Sequence, residues 1–82
     1  MTEYYILLPD DDKNDLSDAN LLGRLGRNNK FWPDMGFEIL NNIIDNHPNL
    51  VDDIIIINDK NTTFTINDFL SMLEKYTIKR QK

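Results

Sequence analysis

The densest hydrophobic stretch is Ile54-Ile55-Ile56-Ile57, and the polar residues that follow it organise the reading of the chain. Four consecutive β-branched apolar residues predict a strand buried on both faces rather than one with a wet side. Asn58-Asp59-Lys60-Asn61 comes next. Asn and Asp tolerate left-handed backbone angles, so this segment reads as a hairpin connection of about four residues. Thr62-Thr63-Phe64-Thr65 then has the composition of a second strand. Asn67 can cap a helix carrying Phe69, Leu70, Met72, Leu73 and Tyr76.

Upstream, Tyr4 to Leu8 is a short β-prone run ended by Pro9, and it is the natural partner for the Ile strand. Asp10 to Asn20 is polar, with only Leu16 and Ala19 to anchor it, and reads as a loop. Ser17 or Asp18 can cap a short helix over Leu21, Leu22 and Leu25, which Gly23 and Gly26 keep from growing long. Pro33 stands where a first helical residue belongs. Beyond it Gly36, Ile39, Leu40, Ile43, Ile44 and His47 recur at spacings of three and four, the template of an amphipathic helix. Asp34 and Glu38 lie at its positive end, and Pro48 stops it. Thr77 to Lys82 reads as a frayed basic tail.

The expected fold is therefore α+β, in the order strand, helix, strand, strand, helix. A right-handed crossover would set the first strand parallel to the Ile strand, and a hairpin would add the third antiparallel. The result is a small three-stranded mixed sheet with helices packed on it and Ile54–Ile57 as its central strand.

Size narrows the picture further. Eighty-two residues suit a single domain spanning 1–82. Such a chain buries only about 60–65% of its unfolded surface. The sequence has no cysteine and one histidine, His47, so it offers neither disulfides, nor thiolate zinc ligands, nor a site built on two imidazoles. Homodimerisation is the remaining common way to reinforce so small a core. No apolar run reaches 18 residues and Met1-Thr2-Glu3 lacks a basic start, so a cytoplasmic location is expected. The Asn61-Thr62-Thr63 sequon is then only a polar turn.

Charge is unevenly placed along the chain. Glu3 to Asp18 carries six acids against one lysine, net −5, and Ala19 to Pro33 carries Arg24, Arg27 and Lys30, net +3. Asp34 to Asp68 has net −6 and Phe69 to Lys82 net +3, so separate acidic and basic surfaces are expected.

Two candidate chemistries fail on spacing. Asp10, Asp12 and Asn14 match positions 1, 3 and 5 of a calcium loop. Asp15 then replaces the required glycine and Leu21 the bidentate glutamate, so no metal is expected there. Gly23-Arg24-Leu25-Gly26-Arg27 lacks the spacing and the Lys-Ser/Thr of a phosphate loop. His47 sits at a helix end beside Pro48, where it more often caps carbonyls than acts as a base. Neither Ser17 nor Ser71 lies in an elbow motif. The expectation is a protein that is not an enzyme and needs no cofactor.

The segment Gly23 to Trp32 stands out. Arg24, Arg27 and Lys30 followed by Phe31 and Trp32 is the composition of a protein contact site, and also that of a surface that grips phosphates and stacks on bases. The plain alternative is that Phe31 and Trp32 staple the start of the next helix to the core. The net charge of −5 counts against nucleic acid. Asp10, Asp11, Asp12, Asp15 and Asp18 form an acidic set suited to steering a partner, with nucleic-acid mimicry as a lesser reading. The leading expectation is a small regulator, inhibitor or adaptor that binds another protein through Arg24, Arg27, Lys30, Phe31 and Trp32. The Asn-, Asp- and Ile-rich composition also suits an accessory protein from an AT-rich genome such as a phage. Nucleic-acid binding through the same segment and the Lys79, Arg80, Lys82 tail is the second expectation.

Overall fold

The computed structural model describes residues 1–11, 16 and 19–79. Six strands form one mixed sheet: β1 (Thr2–Leu7), β2 (Asn20–Leu25), β3 (Lys30–Pro33), β4 (Ile55–Asn58), β5 (Thr63–Phe64) and β6 (Thr77–Ile78). Their spatial order is β5-β4-β1-β2-β3-β6. Two helices, α1 (Met35–Asn46) and α2 (Ile66–Leu73), and a 3-10 segment over Pro48–Asp53 complete the fold.

The α+β class holds, and the sheet is twice as wide as the hydrophobic runs suggest. Two strands lie inside the Gly- and Arg-rich segment that reads as a short helix and a helix start. Asn20–Leu25 pairs with β1, and Lys30–Pro33 pairs with β2. Asn28 and Asn29 both take positive φ, 61° and 56°, and turn the chain between them. Asn tolerates that region better than most side chains do. Thr77 and Ile78, expected to fray, add β6 parallel to β3, and the Lys79 N–H donates to the Phe31 carbonyl at 2.8 Å.

The Ile strand runs antiparallel to β1, with Tyr5 opposite Ile57 and Ile6 opposite Ile56, where a parallel crossover was expected. β2, β3 and α1 intervene between them and bring the chain back from the far side, which leaves β4 to enter from the opposite end. Ile55–Asn58 is thus second from one edge of the sheet, not its middle strand. It is nonetheless buried on both faces, with Ile56 at 0% and Ile57 at 3% exposure. The Asn58–Asn61 connection to β5 is the expected hairpin. The buried Asn58 side chain accepts from the backbone N–H groups of Lys60 and Thr62, both at 2.9 Å, and Asn61 takes φ 64°.

Helix boundaries shift by one or two residues. Pro33 ends β3, and α1 is capped by Asp34, whose side chain accepts from the Met35 N–H at 2.8 Å. Thr65, not Asn67, caps α2, its hydroxyl accepting from the Asp68 N–H. Tyr76 lies beyond the end of that helix. His47 is exposed at the end of α1 and its backbone N–H donates to the Ile43 carbonyl.

Both helices cover the same face of the sheet. Phe31 is fully buried, with its ring 5.8 Å from that of Phe37 on α1 and 5.9 Å from that of Phe69 on α2. Tyr4, Ile6, Leu22, Leu40, Ile56 and Ile66 complete the core around it. Alternation along each strand then fixes what faces the other way. Glu3 and Tyr5 of β1, Arg24 of β2, and Lys30 and Trp32 of β3 lie on the side without helices.

Candidate functional site: the groove at the β2–β3 hairpin

β2 and β3 form a hairpin whose turn, Arg27 to Asn29, projects at one end of the sheet. Arg24 lies opposite Trp32 in the register, and the Gly26 N–H donates to the Lys30 carbonyl at 2.8 Å, which closes the hairpin. Trp32 is 44% exposed. Its indole lies against Gly26, where an added Cβ would stand 3.3 Å from Nε1. A flat backbone is what allows the ring to lie there.

Met1, Thr2, Leu25, Gly26, Arg27, Asn28, Lys30 and Trp32 together line an open groove of about 680 Å³. Its walls are mixed. Met1 and the indole supply apolar surface, and Arg27 and Lys30 supply positive charge. Asn28 stands in the turn between the two cations.

Arg24 is held apart from this pair. Its Nε–H donates to Glu3 Oε2 at 2.9 Å across the β1–β2 register. The Tyr5 hydroxyl lies 3.5 Å from the other oxygen of Glu3. Burial, and then the neighbouring Glu3 carboxylate, raise the pKa of the Tyr5 phenol above its usual value. The Glu3–Arg24 contact uses one of the five N–H donors of the guanidinium. Both side chains are exposed, so the ion pair positions Arg24 more than it stabilises the fold.

The residues singled out by composition thus separate. Arg27, Lys30 and Trp32 share the groove, Arg24 stands beside it on Glu3, and Phe31 is a core residue without surface. The adjacency of Phe31 and Trp32 in the sequence conceals this, because successive strand residues face opposite ways. Glu3, Met1 and Gly26 belong to the site and carry no recognisable signal of their own. Lys79 is a further neighbour, brought alongside β3 by its bond to Phe31.

The acidic set lies elsewhere. Asp10 is exposed, and Asp11 accepts from the Leu8 N–H at 2.9 Å in the turn that ends β1. Asp12, Asp15 and Asp18 lie outside the described residues. In an antiparallel meander, successive connections leave from opposite ends of the sheet. The β1–β2 connection that carries Asp10 and Asp11 is therefore separated from the hairpin turn by the length of β2, about 20 Å.

No group of three or more His, Asp or Glu side chains that could hold a metal occurs among the described residues. No helix among them is long and apolar enough to cross a membrane. Protein-family models, curated proteins and solved structures yield no match to the chain.

Proposed function

We propose that this chain is a non-catalytic module that binds another protein, as a regulator, inhibitor or adaptor, through the groove at its β2–β3 hairpin. The observation that carries the reading is the exposed Trp32 set beside Arg27 and Lys30 on the β2–β3 hairpin. Trp and Arg dominate the energetics of protein contacts, and an aromatic side chain with two torsions loses little freedom when it is buried. Phe31 serves by anchoring β3 from below, and Arg24, preset by Glu3, widens the cationic edge. The acidic connection at the opposite end orients the molecule rather than touching the same partner surface.

The test is a photo-crosslinking amino acid in place of Asn28, used in the protein's own host. Crosslinks to a protein that disappear when Arg27→Glu and Trp32→Ala are combined support the reading. Crosslinks unaffected by that pair of changes overturn it.

Nucleic-acid binding is the second reading, and the parallel β3–β6 pairing favours it by bringing Lys79 of the C-terminal basic block beside the hairpin. Crosslinks to RNA or DNA, with an affinity that falls steeply as salt rises, would select it.

A further inference from the structure

Resting on the protein-binding reading, we infer that the groove receives a short extended segment of its partner, acidic in sequence and carrying one large apolar side chain. Three features of the site lead there. The first is size. Eight residues line the groove, whereas a stable contact between two globular faces takes about 20–30 residues on each side. The groove is open, so it takes up one side of a ligand rather than enclosing it. A segment of chain suits it and a second domain does not.

The second feature is the pairing of an apolar floor with a charged rim. Met1 and the face of Trp32 offer a place for an aromatic or aliphatic side chain, and Gly26 leaves that floor flat. Arg27 and Lys30 stand on the turn side, one on either side of Asn28, where carboxylates flanking that side chain would meet them. The guanidinium can take a carboxylate through two parallel N–H bonds, and the ammonium acts as a point charge.

The third feature separates this ligand from a polynucleotide. Each phosphate neutralised by a cation contributes about 0.9 to the slope of log affinity against log salt on duplex DNA. Two groove cations give a slope near 2 in magnitude, far below the many phosphate contacts on which backbone binding depends. Glu3, adjacent on the same face, and the net charge of −5 oppose any long polyanion, so the site favours a short segment whose carboxylates reach only the groove cations over a continuous phosphate chain. The groove's two cations can pair with two of a short segment's carboxylates, one on each side of the apolar side chain.

The experiment uses the whole chain and four labelled probes, followed by fluorescence anisotropy and, in parallel, by the emission of the single tryptophan. The probes are the peptides Gly-Glu-Glu-Phe-Glu-Glu-Gly, the same with Gln for Glu, the same with Lys for Glu, and a seven-nucleotide oligothymidylate. The expected result is micromolar to submillimolar binding of the Glu peptide and a shift in Trp32 emission. Binding should weaken at least tenfold with Arg27→Gln and Lys30→Gln combined, and the affinity should fall as salt rises. Thermal unfolding of that double variant should match the parent, so the loss reports the site.

Equal binding of the Gln peptide, or preference for the Lys peptide, overturns the acidic class while leaving the groove a peptide site. Binding of the oligothymidylate alone overturns both this inference and the reading it rests on. If no probe binds, the short-segment inference falls, and the crosslinks from position 28 decide separately whether a larger protein surface docks there.

Discussion

Phe31 and Trp32 are consecutive, aromatic and of similar size, yet their environments are opposite. Phe31 touches both helices and is fully buried, whereas Trp32 lies on the bare side of the sheet against Gly26. Phe31→Ala should therefore cost about 3–5 kcal/mol, the range for emptying an aromatic core site. In a domain of this size that is a large part of the total stability. Trp32→Ala should cost less than about 1 kcal/mol, since much of the ring is already in water. Urea unfolding followed by circular dichroism reads both, and equal losses would show that the two rings do not differ in role. Tyr4 offers a second test at this scale. It is 4% exposed, and burial, followed by the proximity of Tyr76, raises the pKa of its phenol above 10.0. A phenol harder to ionise when folded contributes stability that is intact below the unfolded pKa and is lost as pH rises through and beyond it. Melting temperature should thus fall above about pH 10. Tyr4→Phe should flatten that fall relative to the parent, and a parallel fall in both would refute the assignment.

At the scale of elements, the sequence was legible where one residue type repeats and opaque where strands are short. The Ile run, the Asn58–Asn61 turn and the three- and four-residue spacing from Gly36 to Ile44 each name their element, because burial and backbone preference agree. β2, β3 and β6 carry no such pattern. Gly23 in β2 has no side chain because the Phe31 ring and the Trp32 carbonyl occupy its place, an added Cβ standing only 2.6 Å from that oxygen. A glycine required by close approach of a neighbour reads, in sequence, like a helix breaker. β6 is two residues long and exists through its pairing with β3, which no local signal announces. The groove residues were partly legible, since Arg27, Lys30 and Trp32 stand out by composition, but their separation from Phe31 required knowing that Lys30–Pro33 is a strand. The position of β6 gives a prediction. Truncation after Tyr76 would leave β3 as a four-residue open edge beside an exposed tryptophan. Such edges recruit other strands. The truncated chain should melt several degrees lower and sediment as dimers or larger species at concentrations where the full chain does not. A monomer of unchanged melting temperature would show that β6 contributes nothing to closing the sheet.

At the scale of the whole molecule, two of the charged segments, the connections at either end of β2, are separated in space. The acidic turn at Asp10 and Asp11 and the basic turn at Arg27 and Lys30 leave from opposite ends of β2, about 20 Å apart in a molecule measuring 33 × 28 × 24 Å. Whether a partner senses one end or the sum depends on screening. At 0.15 M salt the Debye length is about 8 Å, so a peptide at the groove experiences the local cations and little of the distant acids. At 0.01 M it is about 30 Å, comparable to the molecule, and the peptide experiences the net charge of −5 as well. Each pair of unit charges 20 Å apart interacts by about 0.2 kcal/mol in water before screening. Removing two aspartates opposite a peptide of four glutamates thus relieves roughly 0.8 kcal/mol at the lower salt and about 0.1 kcal/mol at the higher. Asp10→Asn with Asp11→Asn should accordingly speed association of the Glu peptide about threefold to fourfold at 0.01 M and leave it unchanged at 0.15 M. Stopped-flow anisotropy at the two salts measures this directly. An equal acceleration at both would place the acidic turn in contact with the bound segment. No change at either would mean that the two ends of the molecule are electrically independent of one another and that the acids play no part in steering.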